Sequence, residues 1–405
     1  MPEAVIVATA RSPIGRAFKG SLKDARPDDL AVQMVLAALA KVPQVDPHDI
    51  DDLMLGCGSP AGKQGYNLAR IVAVLAGLDH LPGTTVNRFC SSSLQTSRMA
   101  LHAIRAGEGD VFISAGVETV SQYPTGAADY HPGSQNPKFA AAEEHTADLA
   151  SGSGTWSDPR TVGALPDPYI KVGQTAENVA QLTGVTRQEQ DAFGVRSQNR
   201  AEKAIAEGFW AKDITHVTRP DGTVVSHDDS PRAGVTMEAV AGLKPAFRPD
   251  GTVTAGNACP LSDGAAATVI MSDTKARELG ITPLARIVST GVSALSPEIM
   301  GLGPVEASRQ ALARAGLSIG DIDLVEINEA FAAQVIPSAR QLGIEEDRLN
   351  VHGGAIAVGH PFGMTGARIT TTLINSLQWH DKQFGLETMC VGGGQGMAMV
   401  IERLS

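Results

Sequence analysis

Two stretches of the chain, DIDDLMLG from Asp49 and DIDLVEIN from Asp321, repeat one pattern at an offset of 272 residues. Each sits in the same alternation of short apolar runs and helix-period segments. In the first half, residues 4–8, 52–55, 84–89 and 111–115 read as strands, and 28–41, 66–76 and 91–106 as amphipathic helices. In the second, residues 284–289, 324–327, 387–391 and 397–401 read as strands, and 305–315 and 366–377 as helices. This grammar predicts a mostly parallel sheet with helices on its faces. Two copies of the unit predict a pseudo-twofold axis, with functional residues beyond the carboxyl ends of strands.

Residues 119–248 break the pattern. The stretch 123–167 is rich in Gly, Pro, Ser, Asp and His and has little periodicity; helical patterns follow at 175–182 and 187–207, the second strongly polar. The segment reads as a loop domain inserted into the first half, which resumes near Thr252. The resulting division is 1–118 with 249–273 as the N-terminal half, 119–248 as the loop domain and 274–405 as the C-terminal half.

Composition narrows the function classes. A chain of 405 residues, 43% hydrophobic, can bury a large core. Aromatic residues make up only 4% while glycines number 43, which suits layers whose backbones approach closely. A net charge of -11 argues against nucleic acid as the partner, because phosphate binding needs a positive surface. No run approaches the roughly 20 apolar residues of a membrane span. MPEAVIVATARSP lacks the basic start of a signal peptide, and IERLS is no targeting tail. The four cysteines (Cys57, Cys90, Cys259, Cys390) form no CxxC pair, so neither a disulfide framework nor a zinc site is expected. Free thiols suit a reducing cytosol, and a cytoplasmic protein is expected.

Three distant segments carry chemistry. VNRFCSSSLQ (86–95) places Cys90 where a strand turns into a helix, a position that favours a thiolate through the helix dipole and free N–H groups. GGAIAVGHPFG (353–363) places His360 in a glycine-lined turn, where a neutral imidazole can take a thiol proton. Cys90 and His360 are 270 residues apart, so the duplication puts them on equivalent turns. MCVGGGQG (389–396) offers Cys390 as a second proton carrier, beside glycines whose N–H groups can face an oxyanion. Each has a plainer reading: a buried thiol, a loop histidine, a glycine-rich turn. GGGQG is no phosphate loop and lacks a dinucleotide context. Asn328, in INEAFA (327–332), reads first as a helix cap, Glu329 as a partner of a helix N-terminus, and Cys57 as packing at a strand end.

Together with ATARSPIG, GQTAENVA (173–180) and TVTAGNA, these motifs resemble the thiolase family over essentially the whole chain. The resemblance implies an α/β fold, a five-layer αβαβα core of two similar halves plus a loop domain that grips coenzyme A. It implies that Cys90 is the acyl-accepting nucleophile, His360 its base and Cys390 the acid/base for the second substrate. Asn328 would hold a water that forms one oxyanion hole with His360; the N–H groups of Cys90 and Gly392 would form another. Phe247, Ala255, Met300, Ala330 and Phe331 would line the acyl or pantetheine channel. Cys259 stands where many relatives have a serine that bonds pantetheine. Lys171-Val172 replaces the His-Met of short-chain biosynthetic members and favours a degradative, β-oxidation type enzyme. CoA and acyl-CoA would be substrates, with no cofactor held permanently. A homodimer or homotetramer is implied, with a β-oxidation partner subunit as an option. Because the loop domain holds 12 Lys and Arg against 16 Asp and Glu, any grip on CoA phosphates must be local, with Arg232, Lys244 and Arg248 as candidates. The rivals are a biosynthetic acetoacetyl-CoA thiolase, a decarboxylating ketoacyl synthase and a non-catalytic thiolase-like CoA- or lipid-binding protein. The intact Cys/His/Cys set argues against the last two.

Overall fold

A computed structural model of the chain describes residues 2–125, 133–152 and 154–405, so part of the irregular stretch 123–167 lies outside the described residues. In chain order the first strands and helices are β1 (Ala4–Arg11), β2 (Gly15–Arg16), α1 (Pro27–Leu39), β3 (Asp52–Gly56), α2 (Leu68–Leu75), β4 (Gly83–Val86), α3 (Ser92–Ala106) and β5 (Val111–Thr119). The middle of the chain gives α4 (Ala140–Ala150), α5 (Val172–Thr183), α6 (Arg187–Ala206), α7 (Phe209–Asp213), the short ribbon β6 (Val217–Thr218) and β7 (Val224–Val225), and α8 (Met237–Ala241). Then follow β8 (Ser262–Ser272), α9 (Asp273–Glu278), β9 (Ala285–Ala294), α10 (Gly303–Ala315), β10 (Leu324–Ile327), α11 (Ala332–Leu342), α12 (Ala355–Val358), α13 (Thr365–Trp379), β11 (Phe384–Val391) and β12 (Gln395–Arg403).

The strands form one ten-stranded sheet in the order β10-β11-β12-β9-β1-β8-β5-β3-β4, with β2 on β8. The order is a mirror: β1, β8, β5, β3 in one half correspond to β9, β12, β11, β10 in the other. The halves join by only two pairs, Val5 with Arg286 and Ile6 with Ala285. The expected mostly parallel sheet is not found. Only β3–β4, β3–β5 and β10–β11 are parallel; β8 and β12 run against both their neighbours. The reason is connectivity. Strand β12 follows β11 through a tight turn, and β8 returns from the long middle segment, so neither needs the crossover that enforces parallel pairing.

Five layers follow from where the apolar faces go. Leu30, Met34 and Val35 of α1 and Leu68 and Val72 of α2 pack on Leu53, Leu55 and Ile113. Ala307 and Ala311 of α10 and Val335 of α11 pack on Val325, Leu386 and Val400. Between the half-sheets lie α3 and α13, whose Leu94, Leu101, Ile104, Ile369, Leu373 and Leu377 share one buried cluster with strands of both halves. Burying each such side chain contributes about 1.5–3 kcal/mol. The first turns of α3 and α13 touch at Gly366, where a Cβ would lie 2.1 Å from the Leu94 nitrogen. Ser93 Oγ accepts from the Ala367 N–H at 2.9 Å.

The middle segment is tied to this core by charge. Arg11, fully buried at the end of β1, donates through Nε to Asp213 at 2.7 Å and through both terminal nitrogens to Asp228. Asp213 also accepts from Asn375 of α13. Helix α6 starts with a capping box, Thr186 with Glu189, and turns Gln190, Asp191, Ser197 and Gln198 inward, so its polar sequence hides a buried face. Among the described residues no helix is long and apolar enough to cross a membrane.

Candidate active site

Cys90 sits in a 3-10 turn, Phe89–Ser91, that runs into α3. The turn is held by local bonds: Asn87 Oδ1 accepts from Phe89 N at 2.8 Å, and Ser92 Oγ accepts from Arg88 N at 2.9 Å. Phe89 takes φ = +44°, unusual for a side chain of its size, which tips the next residue inward. Arg88 reaches Gln95 and, at 2.8 Å, Gln395, pinning the turn to the β11–β12 hairpin. There Gly392 packs under the Phe89 ring, 3.1 Å from where a Cβ would stand. The N–H groups of Gly392 and of Cys90 itself donate towards the sulfur.

Those donors do not produce a resting thiolate. Burial raises the Cys90 thiol to about 12, against the pull of both N–H groups and with the push of Glu118. The sequence-based expectation of a lowered pKa is therefore reversed: in a residue only 7% exposed, the thiolate loses more solvation than a helix start returns.

His360 is buried in the turn between α12 and α13. Its Nδ1 lies 2.6 Å from Thr365 Oγ1, which donates its own proton to Pro361 O at 2.7 Å. Thr365 must then accept from Nδ1–H, which assigns the tautomer and leaves a lone pair on Nε2. Asn328 Nδ2 sits 3.2 Å from that Nε2. Burial, then the charge of Arg368, pushes the imidazole down to about 3, so it rests neutral. Gly359, at φ = +112°, lets the chain pass Ile14 and Ser262, where a Cβ would meet atoms at 2.6 and 2.7 Å.

Asn328 is no helix cap: α11 begins at Ala332, and the side chain turns to His360 and to Arg368 at 3.5 Å. Glu329 does face a helix start, but that of α12, where it accepts from Ile356 N and also binds Ser197 and Asn350. Cys390, at the end of β11, is fully buried. Burial raises its thiol well above the ordinary value, with Cys90 and Cys259 adding repulsion. Cys259 feels Cys90 in the same way and is raised to about 12, again mainly by burial. The three thiols thus share one neighbourhood. Cys57 packs at the end of β3, as expected.

A cavity of about 480 Å³ opens beside Cys259 between the middle segment and the core. Phe247, Ala255 and Cys259 line it. Met300, Ala330 and Phe331 do not; they surround Cys390 in an apolar cluster, and Phe331 meets Phe247 edge-on at 5.9 Å. Of the basic candidates, Arg232 lines the cavity. Arg248 is 4% exposed and spent on Gln174 and Asn178, and Lys244 is exposed away from the lining. Arg16, not anticipated, also lines the cavity.

The pattern of the thiolase N-terminal domain matches residues 4–274, and that of the thiolase C-terminal domain matches residues 281–403. The chain belongs to the thiolase family. It is 43% identical to the 3-ketoacyl-CoA thiolase of Shewanella frigidimarina, over all of both chains. It is also 43% identical to that of Bacillus subtilis, over 99% of this chain and all of the relative. The crystal structure of the Bacillus anthracis acetyl-CoA acetyltransferase superposes with a TM-score of 0.86 at 40% identity, covering 100% of this chain and 99% of that one.

Within this thiolase fold Glu118 is among the residues that escaped sequence reasoning. Glu118, buried at the end of β5, accepts from the N–H groups of Gly58 at 2.7 Å and Gly363 at 2.8 Å, from Gln64 at 2.7 Å and from the Tyr123 hydroxyl at 3.0 Å. It fastens the His360 turn to the N-terminal half. The only signal was a lone acid closing an apolar strand, VFISAGVET.

Proposed function

We propose that the chain cleaves 3-ketoacyl-CoA with coenzyme A, giving acetyl-CoA and an acyl-CoA two carbons shorter, and runs the reverse Claisen condensation. The carrying observation is that Cys90, beneath the Gly392 N–H, shares its surroundings with Cys390 while His360 rests neutral, protonated on Nδ1, with its Nε2 lone pair towards Asn328 Nδ2. Cys90 gives its proton to His360 Nε2 as sulfur attacks the keto carbon. The C2–C3 bond breaks, and acetyl-CoA leaves as an enolate that the Cys390 thiol protonates. A CoA thiol, deprotonated by the Cys390 thiolate, then attacks the acyl-Cys90 thioester. The shortened acyl-CoA departs, and the Cys90 thiolate regains its proton from His360.

Each intermediate carries one new negative charge in a dry site, so aimed donors matter more than a preformed thiolate. Cys90 N–H and Gly392 N–H serve the oxygen of the Cys90 adduct; His360, with a water held by Asn328, serves the enolate oxygen. Residues 119–248, through Phe247, would form with Ala255 and Cys259 the wall along which pantetheine lies, and Arg16 and Arg232, which line the same cavity, would meet the phosphates. A homodimer or homotetramer, a β-oxidation partner subunit and a cytoplasmic setting belong to the same reading. The names of the relatives and Lys171-Val172 support the degradative direction.

The test separates the half-reactions. Cys390→Ala should still form an acyl-enzyme from a thioester but lose C–C cleavage, seen by mass spectrometry beside a thiolysis assay. Equal loss of both would contradict the role of Cys390. Thiolysis across 3-ketoacyl-CoA esters of increasing length should show activity beyond the four-carbon substrate; activity confined to acetoacetyl-CoA would favour the biosynthetic reading.

A further inference from the structure

Beneath the enolate-facing pair lies a buried charged cluster that the reaction above does not use. Arg368, on the second turn of α13, is 1% exposed. Its Nη2 lies 3.5 Å from Asn328 Oδ1, while Nε and Nη1 have no hydrogen-bond partner. Against it stand Glu326 of β10 and Glu387 of β11, paired with each other across the parallel strands and both buried. Thr370 donates to Glu387 Oε1 at 2.8 Å, and Glu387 Oε2 is unpartnered. Arg11, Asp213 and Asp228 form the next shell of charge around Arg368. A buried arginine with two idle nitrogens is costly, and such a group persists where it fixes something else.

We propose that Arg368 is a positioning residue for carbon–carbon bond cleavage and formation: its guanidinium holds Asn328 Oδ1, so that the carboxamide turns its Nδ2 to His360, and Glu326 and Glu387 together carry the balancing negative charge. The argument is one of donors and acceptors. A guanidinium has no acceptor, so it selects the oxygen end of the amide. The nitrogen end is then left for Nε2, whose lone pair would repel the oxygen. When Nε2 takes the Cys90 proton, Asn328 Nδ2–H and His360 Nε2–H become two donors 3.2 Å apart, unable to bond each other and free to serve one oxyanion, Asn328 through the water it holds. Two adjacent buried carboxyls cannot both ionise beside a single arginine, so the pair keeps one proton and the cluster stays neutral. Burial raises both carboxyls, Glu326 to about 8.

The inference rests on the proposed thiolase reaction, and its test keeps the two apart. Wild-type enzyme should exchange label between CoA and acetyl-CoA, which needs acyl transfer at Cys90 only, and should also cleave a 3-ketoacyl-CoA. Absence of both activities would overturn the thiolase reading itself. Arg368→Gln should slow cleavage by about 10–10²-fold, within the span of a lost oxyanion donor, and leave exchange within about 3-fold. Arg368→Lys should not restore cleavage, because a point charge lacks the fork. In an Asn328→Ala background, Arg368→Gln should add less than about 3-fold. If Arg368→Gln does not fold, Arg368→Gln with Glu387→Gln removes the charge pair together and should give the same split. Equal loss of exchange and cleavage, rescue by lysine, or full additivity with Asn328→Ala would each overturn the proposal.

Discussion

The two turns that meet at the site come from equivalent places in a duplicated scaffold, yet they hold their side chains by opposite means. The Cys90 turn is short and strained, roofed by a Phe89 that is 44% exposed. The His360 turn is buried except at Phe362 and fastened by Thr365, Asn328 and, through Gly363, Glu118. In the proposed reaction the nucleophile must reach a ligand that comes and goes. The base must only keep its geometry. Burial drives both to their neutral forms, in opposite pKa directions, so the proton moves when the substrate carbon accepts charge and not before.

The comparison can be broken most directly at its two reacting atoms. Cys90→Ala should remove thiolysis by about 10⁴-fold or more and leave no acyl-enzyme. His360→Gln should cost about 10²–10⁴-fold and still acylate slowly, because the thiol and its donors remain. Mass spectrometry after incubation with acetyl-CoA tells them apart; near-normal turnover by the alanine variant would end the account. Next comes the fastening of the His360 turn. Glu118→Gln leaves at least one buried N–H without a partner, and should lower stability by about 1–3 kcal/mol in urea unfolding. Its effect on turnover should exceed its effect on the KM for CoA.

A smaller signature lies in the pH dependence of stability. Glu326 keeps its proton up to about 8 in the fold, against 4.5 ordinarily. Between those values the folded chain binds a proton that the unfolded chain has released, so this group makes stability fall as pH rises through the window. Glu326→Gln should flatten that slope in chemical unfolding; an unchanged slope would mean that Glu387 alone holds the proton. The smallest effect belongs to Cys259→Ser, which puts a hydroxyl in place of the thiol on the cavity wall and should change the KM for CoA by less than about 3-fold.

Much of this was legible in the letters. Apolar runs marked nearly every sheet strand, because a strand buried on both faces cannot hide its composition, and the 270-residue offset placed Cys90 and His360 ahead of the paired helices α3 and α13. Strand direction was not legible: nothing in TVTAGNACPLSDGAAATVIM says that it returns antiparallel between β1 and β5. Helix α4 was missed because its moment is weak and its flanks are rich in breakers. Glu118 and Arg368 were missed for a different reason. Each is a single charged residue in an otherwise ordinary element, and its meaning lies in partners hundreds or tens of residues away. The pKa of Cys90 was misjudged because a helix start can be seen in sequence and desolvation cannot.

The contact at Gly366 sets how closely the first turns of α3 and α13 approach, and with them, in the proposed reaction, thiol and ring. One missing side chain lets two helices from separate gene-like copies lie backbone to backbone, and the thiol and the ring ride on their leading ends. A methyl group at that point would act as a wedge under both, parting sulfur from nitrogen without touching either.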